Sequence, residues 1–391
     1  MKKIIAMIIA CLMVVALVPV IAVPAAAAEK VVFVGKDGTG DGSAADKPMG
    51  SLVDAVAAIG DDNGTIVFVN MYESKAEHQL PAHAGHITFT TKYNGVDYNG
   101  GIYASGTGHL WLGGDVTVEN MNLNLKSTWV WRLRFNHLTF AEGVNVTNDA
   151  GTFPQLYLVG ADQNSASDCD PSQNTHITLK SGKVQEFIGG ARSAFPADIT
   201  GKVIIEVSGT AEIAKLAFGN RSTKETVNLN SALVVIDGGT ITNWIATGDM
   251  KTTGFLGDVQ IVLTKNFDIS KCFDGYNGGE RTSTDANGDT VFYGISGTSA
   301  FQNHAANTLL GNVELLVDPA IKAAVESSDK LNKETFTAIK EYTYVGTIGS
   351  GTLDAATPDA PVVTEPVVTT APATEAPVVT DAPVVDRKSV V

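Results

Sequence analysis

Five short segments, each built around a glycine, recur along the middle of the chain at a nearly constant spacing. They are Leu158–Asp162, Ile188–Arg192, Ala217–Arg221, Ala246–Met250 and Asn277–Arg281. The central glycines stand at positions 160, 190, 219, 248 and 279, so the steps between them are 30, 29, 29 and 31 residues. A fixed period of this length is the sequence signature of a repeat fold, in which each unit stacks on the next.

The segments between the glycines predict short β-strands. Between Ile87 and about Leu316, runs such as Val203–Val207 and Val259–Leu263 are separated by Gly, Asn and Asp. The turn glycines Gly209 and Gly238 lie 238 − 209 = 29 residues apart, which gives a second register with the same period. A β-sandwich also has short strands at regular spacing. It does not require side chains to repeat at one coil length, so the pattern favours a solenoid of stacked coils.

The first 28 residues have the composition of a secretory signal peptide. Lys2 and Lys3 precede an apolar run from Ile4 to Val18, and small residues end the segment at Ala28. An uncleaved membrane anchor is the alternative, but Pro19 interrupts the apolar segment. We therefore expect a secreted, extracellular or surface-attached protein with no transmembrane helix in the mature chain.

The charge of the chain excludes one class of partner. The net charge is −15, and cleavage after Ala28 would remove two lysines and leave −15 − 2 = −17. A nucleic-acid-binding domain carries a basic patch, so this acidic chain is not expected to bind nucleic acid. Cys169 and Cys272 are the cysteines of the mature chain. Export permits a disulfide between them, and two buried thiols are equally compatible with the sequence.

The N-terminal part of the mature chain resembles a known superfamily. The strand Val31–Val34 leads into the glycine-rich turn Gly35–Ser43, then an amphipathic helix over Ser51–Ile59 and a buried strand over Thr65–Val69. This order resembles the start of secreted right-handed parallel β-helices of the pectate-lyase-like superfamily. The resemblance implies an all-β fold, a right-handed parallel β-helix, with an N-terminal capping helix that covers the open end of the solenoid.

The C-terminal part divides into three predicted regions. The β-helix domain is expected to span residues 29–352 and to end with a short helical segment over Ala320–Ile339. Residues 353–385 are rich in Pro, Thr, Val and Ala, which predicts an extended spacer. Residues 386–391 do not continue this pattern and are interpreted as a non-native tail. A spacer indicates attachment to a further C-terminal module or to a cell wall.

The fixed period also predicts a row of charged side chains, because equivalent positions of a solenoid stack. The residues two positions after each glycine are Asp162, Arg192, Arg221, Met250 and Arg281, with Asp249 beside the row. Guanidinium groups on successive coils would bind the carboxylates of an acidic polysaccharide. The alternative is a set of weak ion pairs between neighbouring turns. Polyuronate lyases of the superfamily use an arginine base beside Ca²⁺, but no residue here matches their motif.

Two further groups are candidates for ligand binding. Asp162, Asp168 and Asp170 lie in a polar insertion and provide oxygen atoms of the kind that Ca²⁺ prefers, although plain turns have the same composition. Trp129 and Trp131 belong to an alternating segment from Thr128 to Phe135. Their indoles would stack on sugar rings if they were exposed, whereas a core strand is the alternative.

These features together predict an exported module that contacts extracellular polysaccharide. Two functional classes are compatible with the sequence. One is a non-catalytic adhesin or binding module, which needs only a repetitive surface and an anchor. The other is a polysaccharide lyase or glycoside hydrolase, possible cofactor Ca²⁺, which needs a cleft with converging catalytic groups. The spacer and the absence of a matched catalytic motif favour the first class, since the fold does not decide between them.

Overall fold

A computed structural model of the chain describes residues 29–345. Within this range it leaves out residues 76–77, 106–108, 126–129, 149–152, 161–168, 193–194, 196, 220–227, 249–252, 256, 276–280, 285–287, 302–306 and 310. The predicted signal peptide, spacer and tail therefore lie outside the described residues.

The described residues are organised mainly as short strands. The first half of the chain contains β1 (Lys30–Val34), β2 (Gly64–Phe68), β3 (Met71–Ser74), β4 (His78–Gln79), β5 (Ile87–Thr90), β6 (Lys92–Tyr93), β7 (Val96–Asp97), β8 (Gly101–Ala104), β9 (His109–Trp111), β10 (Val116–Glu119), β11 (Met121–Leu125), β12 (Val130–Arg132), β13 (Leu138–Phe140) and β14 (Val144–Asn148). The second half contains β15 (Gln155–Gly160), β16 (Thr175–Leu179), β17 (Lys183–Arg192), β18 (Ile199–Ala217), β19 (Asn228–Ala246), β20 (Thr253–Phe255), β21 (Val259–Leu263), β22 (Thr282–Thr284), β23 (Thr290–Phe292), β24 (Ile295–Ser296), β25 (Asn307–Leu309), β26 (Val313–Val317), β27 (Leu331–Asn332) and β28 (Ala338–Glu341).

Parallel pairing arranges these strands in stacks. The first stack runs β1, β2, β5, β10, β13, β16, the central parts of β18 and β19, then β21, β26 and β28. The second runs β4, β9, β12, β15, β17, the ends of β18 and β19, β24 and β27. The third contains β3, β8, β11 and β14. The predicted all-β parallel β-helix is therefore confirmed.

The stacks enclose one continuous apolar core. Alternate side chains of each strand point inward, so that Ile87 and Phe89 of β5 meet Val116 and Val118 of β10 in the next coil. Corners are formed by residues with positive φ. At one corner Gly209 has φ 60° and pairs with Gly238, and a Cβ at Gly209 would lie 2.4 Å from the carbonyl oxygen of Lys180. The predicted register between Gly209 and Gly238 is confirmed.

The coil length varies more than the glycine spacing predicts. Ile188 pairs with Ala217 and Ala217 with Ala246, which are steps of 29 residues each. Elsewhere the Asp115 carboxylate accepts a hydrogen bond from the backbone of His137, only 22 residues away. One later coil is 54 residues long and contains the antiparallel hairpin of β22 and β23. The constant period is thus a property of the middle coils.

Two eight-residue helices flank the solenoid. Helix α1 (Leu52–Ile59) begins where Ser51 Oγ accepts a hydrogen bond from the Asp54 backbone, 3.1 Å away. Its buried side chains belong to the core that includes β1 and β2, which confirms the predicted N-terminal helix. Helix α2 (Pro319–Glu326) begins after Asp318. The predicted helical segment Ala320–Ile339 is wrong beyond Glu326, because Leu331 and Ile339 face the core in β27 and β28.

Two other predictions concern cysteines and membranes. No disulfide joins Cys169, which is half-buried, and Cys272, which is buried. Burial raises the pKa of the Cys272 thiol. Among the residues described, the helices are too short to cross a membrane.

Candidate functional site

Five threonines form a single column on the outer side of the first stack. Pairing between consecutive coils aligns them, and they are Thr65, Thr88, Thr117, Thr139 and Thr178. Each stands between two inward side chains, as Thr88 does between Ile87 and Phe89, so its own side chain faces outward. Neighbouring coils are separated by the strand spacing of about 4.8 Å. The column therefore presents a methyl and a hydroxyl group at each coil step.

The hydroxyl groups of this column differ in how they are used. Thr65 is buried and donates a hydrogen bond to Glu29 Oε1. The other four threonines are half-buried. Thr117 Oγ1 lies 3.0 Å from His86 Nε2. In the described part of the chain, no hydrogen bond reaches the hydroxyls of Thr88 and Thr139, which leaves these two groups available to a ligand.

A second column of polar side chains lies beside the threonines. It comprises His86, Asp115, His137 and His176, each one position before an inward residue of its strand. The backbone N–H of His176 donates to His137 Nδ1 over 3.2 Å. Burial by neighbouring groups lowers the pKa of His86, although one edge of its ring is exposed. His86 is therefore neutral near pH 7 and provides one donor and one acceptor nitrogen.

Glu206 marks the end of this polar surface. It follows Thr178 in the same column, and its Oε2 lies 3.4 Å from His176 Nε2 and 3.5 Å from Thr178 Oγ1. Its other oxygen accepts a hydrogen bond from the Tyr344 hydroxyl over 3.5 Å. We call the surface of Thr65, Thr88, Thr117, Thr139, Thr178, His86, Asp115, His137, His176 and Glu206 the threonine–histidine face.

Most of the predicted charged row cannot be compared with the structure. Asp162, Arg221 and Asp249 lie outside the described residues, and only the backbone of Arg192 is described. The underlying register holds in part. Gly190 donates a backbone hydrogen bond to Gly219 over 3.0 Å, as the period predicts. Gly160, however, pairs with Arg192 instead of Gly190, because the register shifts between Tyr157 and Val159.

Arg281 does not belong to the predicted row. The coil that follows Gly248 places Ala300 beside it, since the Ala300 backbone donates to the Gly248 oxygen over 3.0 Å. Arg281 instead lies at the base of the β22–β23 hairpin. Its Nε is 3.1 Å from Asp329 Oδ2, and its guanidinium donates to the Phe273 carbonyl over 2.9 Å. These contacts fasten the hairpin to the C-terminal coil, so the expected role in the row is corrected.

The tryptophan prediction has a similar outcome. Trp129 lies outside the described residues. Trp131 is fully buried in the core, where its ring meets Phe140 edge-on at 5.4 Å between centroids. Its indole is thus not available to stack on a sugar, and the core-strand alternative describes it correctly. On the outer side of the same strand, the Arg132 guanidinium lies 4.7 Å from the centre of the Trp111 ring.

The predicted calcium ligands are only partly described. Asp162 and Asp168 lie outside the described residues. Asp170 is exposed, and its Oδ1 accepts hydrogen bonds from the Ser172 hydroxyl at 2.6 Å and the Ser172 backbone at 2.9 Å. These bonds lower the pKa of Asp170. No group of three metal-ligating side chains occurs within the described ranges.

The threonine–histidine face is absent from the predicted site, although the sequence contains a signal for it. A threonine between two apolar residues recurs in Ile87–Phe89, Val116–Val118, Leu138–Phe140 and Ile177–Leu179. The coil steps between these triplets range from 22 to 39 residues, so a search for a constant period does not find them.

Comparison with known proteins finds no counterpart, since no family model, no curated protein and no solved structure matches the chain.

Proposed function

We propose that this chain is an exported extracellular or cell-surface β-helix module that binds polysaccharide along the threonine–histidine face without cleaving it. The unbroken threonine column carries the proposal. Four coil steps separate Thr65 from Thr178, so the column extends about 19 Å at the usual strand spacing. A glycan also repeats in steps of one sugar residue, so an extended chain lying along the column would place hydroxyl groups beside successive threonines.

The chemistry of the face suits uncharged sugars. Threonine hydroxyls and neutral imidazoles both donate and accept hydrogen bonds, as sugar hydroxyls do. The charged groups of the face are Asp115 and Glu206, which would repel a polyuronate at neutral pH. The expectation of an acidic polysaccharide depends on Arg192 and Arg221, whose side chains lie outside the described residues. The face itself favours a neutral glycan.

The face also determines how affinity should depend on chain length. The exposed large apolar side chains among the described residues are Val96 and Val345, neither of them on the face. Binding therefore depends on many weak polar contacts instead of aromatic stacking. Affinity should increase with the number of sugar residues until the oligosaccharide covers the column, because each added residue binds intramolecularly.

The test compares binding of xylan, glucan and polygalacturonate to the wild-type chain and to a Thr88→Val/Thr139→Val variant, by affinity electrophoresis and calorimetry. Valine keeps the shape and strand propensity of threonine and removes only the hydroxyl. Thr284→Val, on the exposed β22–β23 hairpin, is the matched control. We expect the double variant to lose most of its binding to a neutral glycan with an unchanged melting temperature. Equal binding by the double variant would exclude the face as the binding surface.

The same incubations distinguish a binding module from an enzyme. A polysaccharide lyase of the pectate-lyase-like kind would release unsaturated ends from polygalacturonate in the presence of Ca²⁺, and a glycoside hydrolase would release reducing ends. The proposal predicts neither product, with or without Ca²⁺. Formation of either product would replace the non-catalytic proposal with the enzymatic one. Detection of the chain in the culture medium or on the cell surface, cleaved after Ala28, would test export separately.

A further inference from the structure

A cleft of about 680 Å³ opens beside the N-terminal helix, away from the threonine–histidine face. One wall is the glycine-rich turn from Lys36 to Gly40 together with Met49 to Ser51. The opposite wall is formed by Tyr72, Glu73, Lys75 and His78. Clefts of this size with a few converging polar groups are the usual form of small-molecule sites. We call it the cap cleft.

The glycine-rich wall is closely held by its own backbone. Gly40 donates to the Pro48 carbonyl over 2.9 Å, and Gly35 donates to the Met49 carbonyl over 3.0 Å. A Cβ at Gly38 would lie 2.4 Å from the Pro48 oxygen, so only glycine allows this approach of the two segments. The wall is therefore fixed before any ligand binds, and little conformational entropy is lost on binding.

Glu73 is the best-positioned charged group in the cap cleft. Its Oε1 accepts a hydrogen bond from the Ser105 hydroxyl over 3.0 Å, and its Oε2 lies 3.3 Å from Lys75 Nζ and 3.5 Å from Lys36 Nζ. Burial alone would raise the pKa of Glu73, but the hydrogen bond and the two ammonium groups outweigh it and lower the pKa. The carboxylate is ionised and fixed, so it provides a strong acceptor in a defined direction.

Tyr72 and His78 add neutral polar groups beside this carboxylate. The Tyr72 hydroxyl accepts a hydrogen bond of 3.4 Å from the Leu52 backbone, which leaves its hydrogen to be donated. The ring of His78 lies 5.9 Å from the Tyr72 ring, and its Nε2 is buried with no partner among the described residues. A buried polar atom without a partner is costly, and a ligand hydroxyl in the cleft would satisfy it.

We propose that the cap cleft binds one uncharged sugar residue, as a free monosaccharide or a chain end, with Glu73, Tyr72 and His78 as its hydrogen-bond partners. Adjacent sugar hydroxyls can donate to the carboxylate and accept from the phenol at the same time. A net charge on the ligand is disfavoured, because an anion would meet Glu73, Asp37 and Asp54, whereas a cation would meet Lys36 and Lys75. The proposal is independent of the threonine–histidine face, which lies on a different stack.

The experiment titrates the full chain with D-glucose, D-galactose, D-mannose, D-xylose and N-acetylglucosamine, followed by saturation-transfer NMR and by the imidazole resonances of His78. We expect at least one sugar to bind saturably and to shift the His78 resonances. Glu73→Gln should weaken that binding about tenfold or more, since hydrogen bonds to charged groups are the stronger ones. His78→Leu should also weaken it without lowering the melting temperature.

Glu314→Gln is the matched control, because Glu314 is equally shielded and is also bound to a lysine, Lys340, far along the first stack. Its affinity for the sugar should equal that of the wild type. Thr88→Val/Thr139→Val should also bind the monosaccharide normally, so failure of the face and failure of the cleft give different results. The proposal is overturned if no sugar of the panel saturates, if Glu73→Gln binds unchanged, or if glutamate or lysine shifts His78 more strongly than the sugars do.

Discussion

The two halves of the first stack share one backbone geometry but present different outer surfaces. From β2 to β16 the outer column is the series of threonines described above, and they are mostly half-buried. From β19 to β26 the same column continues as Val235, Val262 and Leu316, which are 1%, 0% and 6% exposed. Glu206 stands at the boundary. The inward side chains of both halves are apolar, so the core does not account for the difference.

The second half is therefore a surface built to be covered by protein. Tyr342 donates its backbone N–H to the Val317 carbonyl over 3.0 Å, and Tyr344 reaches Glu206. Residues that follow β28 thus return along the outside of the stack as far as the boundary. Burial raises the pKa of the Tyr342 hydroxyl, in agreement with a partly covered position. A threonine in this column indicates contact with solvent or ligand, and a valine or leucine indicates contact with the chain itself.

The largest effect should come from charge in the covered half. Val235→Asp places a carboxylate where no partner exists, and we expect a loss of about 3–5 kcal/mol in the free energy of unfolding. Thr139→Asp is the same change in the open half and should cost less than about 1 kcal/mol, since its carboxylate reaches water. Urea denaturation of both variants measures the difference.

A milder substitution makes this comparison possible even if Val235→Asp does not fold. Val235→Thr introduces the residue typical of the open half and should cost about 1–3 kcal/mol, because its hydroxyl is buried without a partner. If Val235→Asp and Thr139→Asp lost equal stability, the two halves would not differ in solvent contact.

The halves also differ in coil length, and Lys330 is the residue that fastens the longest coil. Its ammonium group is buried and donates to the carbonyl of Ile269 over 3.0 Å and to the carbonyl of Cys272, with Asp274 Oδ1 at 3.1 Å. Lys330→Met leaves these carbonyls unpaired and should cost on the order of 3 kcal/mol. Lys340→Met, which removes a half-exposed ion pair with Glu314, should cost less than about 1 kcal/mol. Thermal unfolding of the two variants provides the measurement, and similar losses would contradict a special role for Lys330.

The returning C-terminal residues can be tested directly. Tyr342→Ala/Tyr344→Ala removes two half-buried aromatic rings, and we expect a loss of about 1–2 kcal/mol from the apolar area that becomes exposed. Amide hydrogen exchange should accelerate in β19 and β21 and stay unchanged in β5 and β10. Equal acceleration in both pairs of strands would show that the segment does not cover the second half specifically.

The sequence was informative where local chemistry decides the structure. Ser51 and Asp54 mark the start of α1, and Gly209 and Gly238 mark corners that a side chain would obstruct. It was misleading where distance along the chain replaced distance in space. Arg281 follows Gly248 at nearly the right interval, yet the 54-residue coil contains a hairpin that places it elsewhere. Ala320–Ile339 has helical residues throughout, but the last coil needs Leu331 and Ile339 as inward strand residues.

The candidate site was hidden for the same reason. The threonine column requires knowledge of which residues are neighbours across coils of unequal length, and this is set by pairing and not by period. Trp131 illustrates the opposite error, since an aromatic in an alternating strand is as often a core residue as a surface one. In both cases the inward or outward position of a side chain decided its role.

The smallest effect separates the halves by pH, because the described outer columns contain histidines only in the first half. Burial lowers the pKa of His78 in β4 and of His86 beside β5, relative to an ordinary value of about 6.5. Above that value both residues are neutral in the folded and the unfolded chain, so they do not affect stability. As the pH falls below it, the unfolded chain binds protons first, and the free energy of unfolding decreases until the folded pKa is reached. We expect a loss of a few tenths of a kcal/mol between about pH 7 and pH 5, mostly from His78, because solvent screens the exposed edge of His86. Asp41, Asp97 and Asp170 have lowered pKa values and therefore act only at more acidic pH. Urea denaturation across this range should show the decrease in the wild type and a flatter dependence in His78→Gln/His86→Gln. Hydrogen exchange should place the acid-induced loosening in β4 and β5 and leave β21 and β26 unchanged, whereas a loss that persists in the double variant would assign it to other groups.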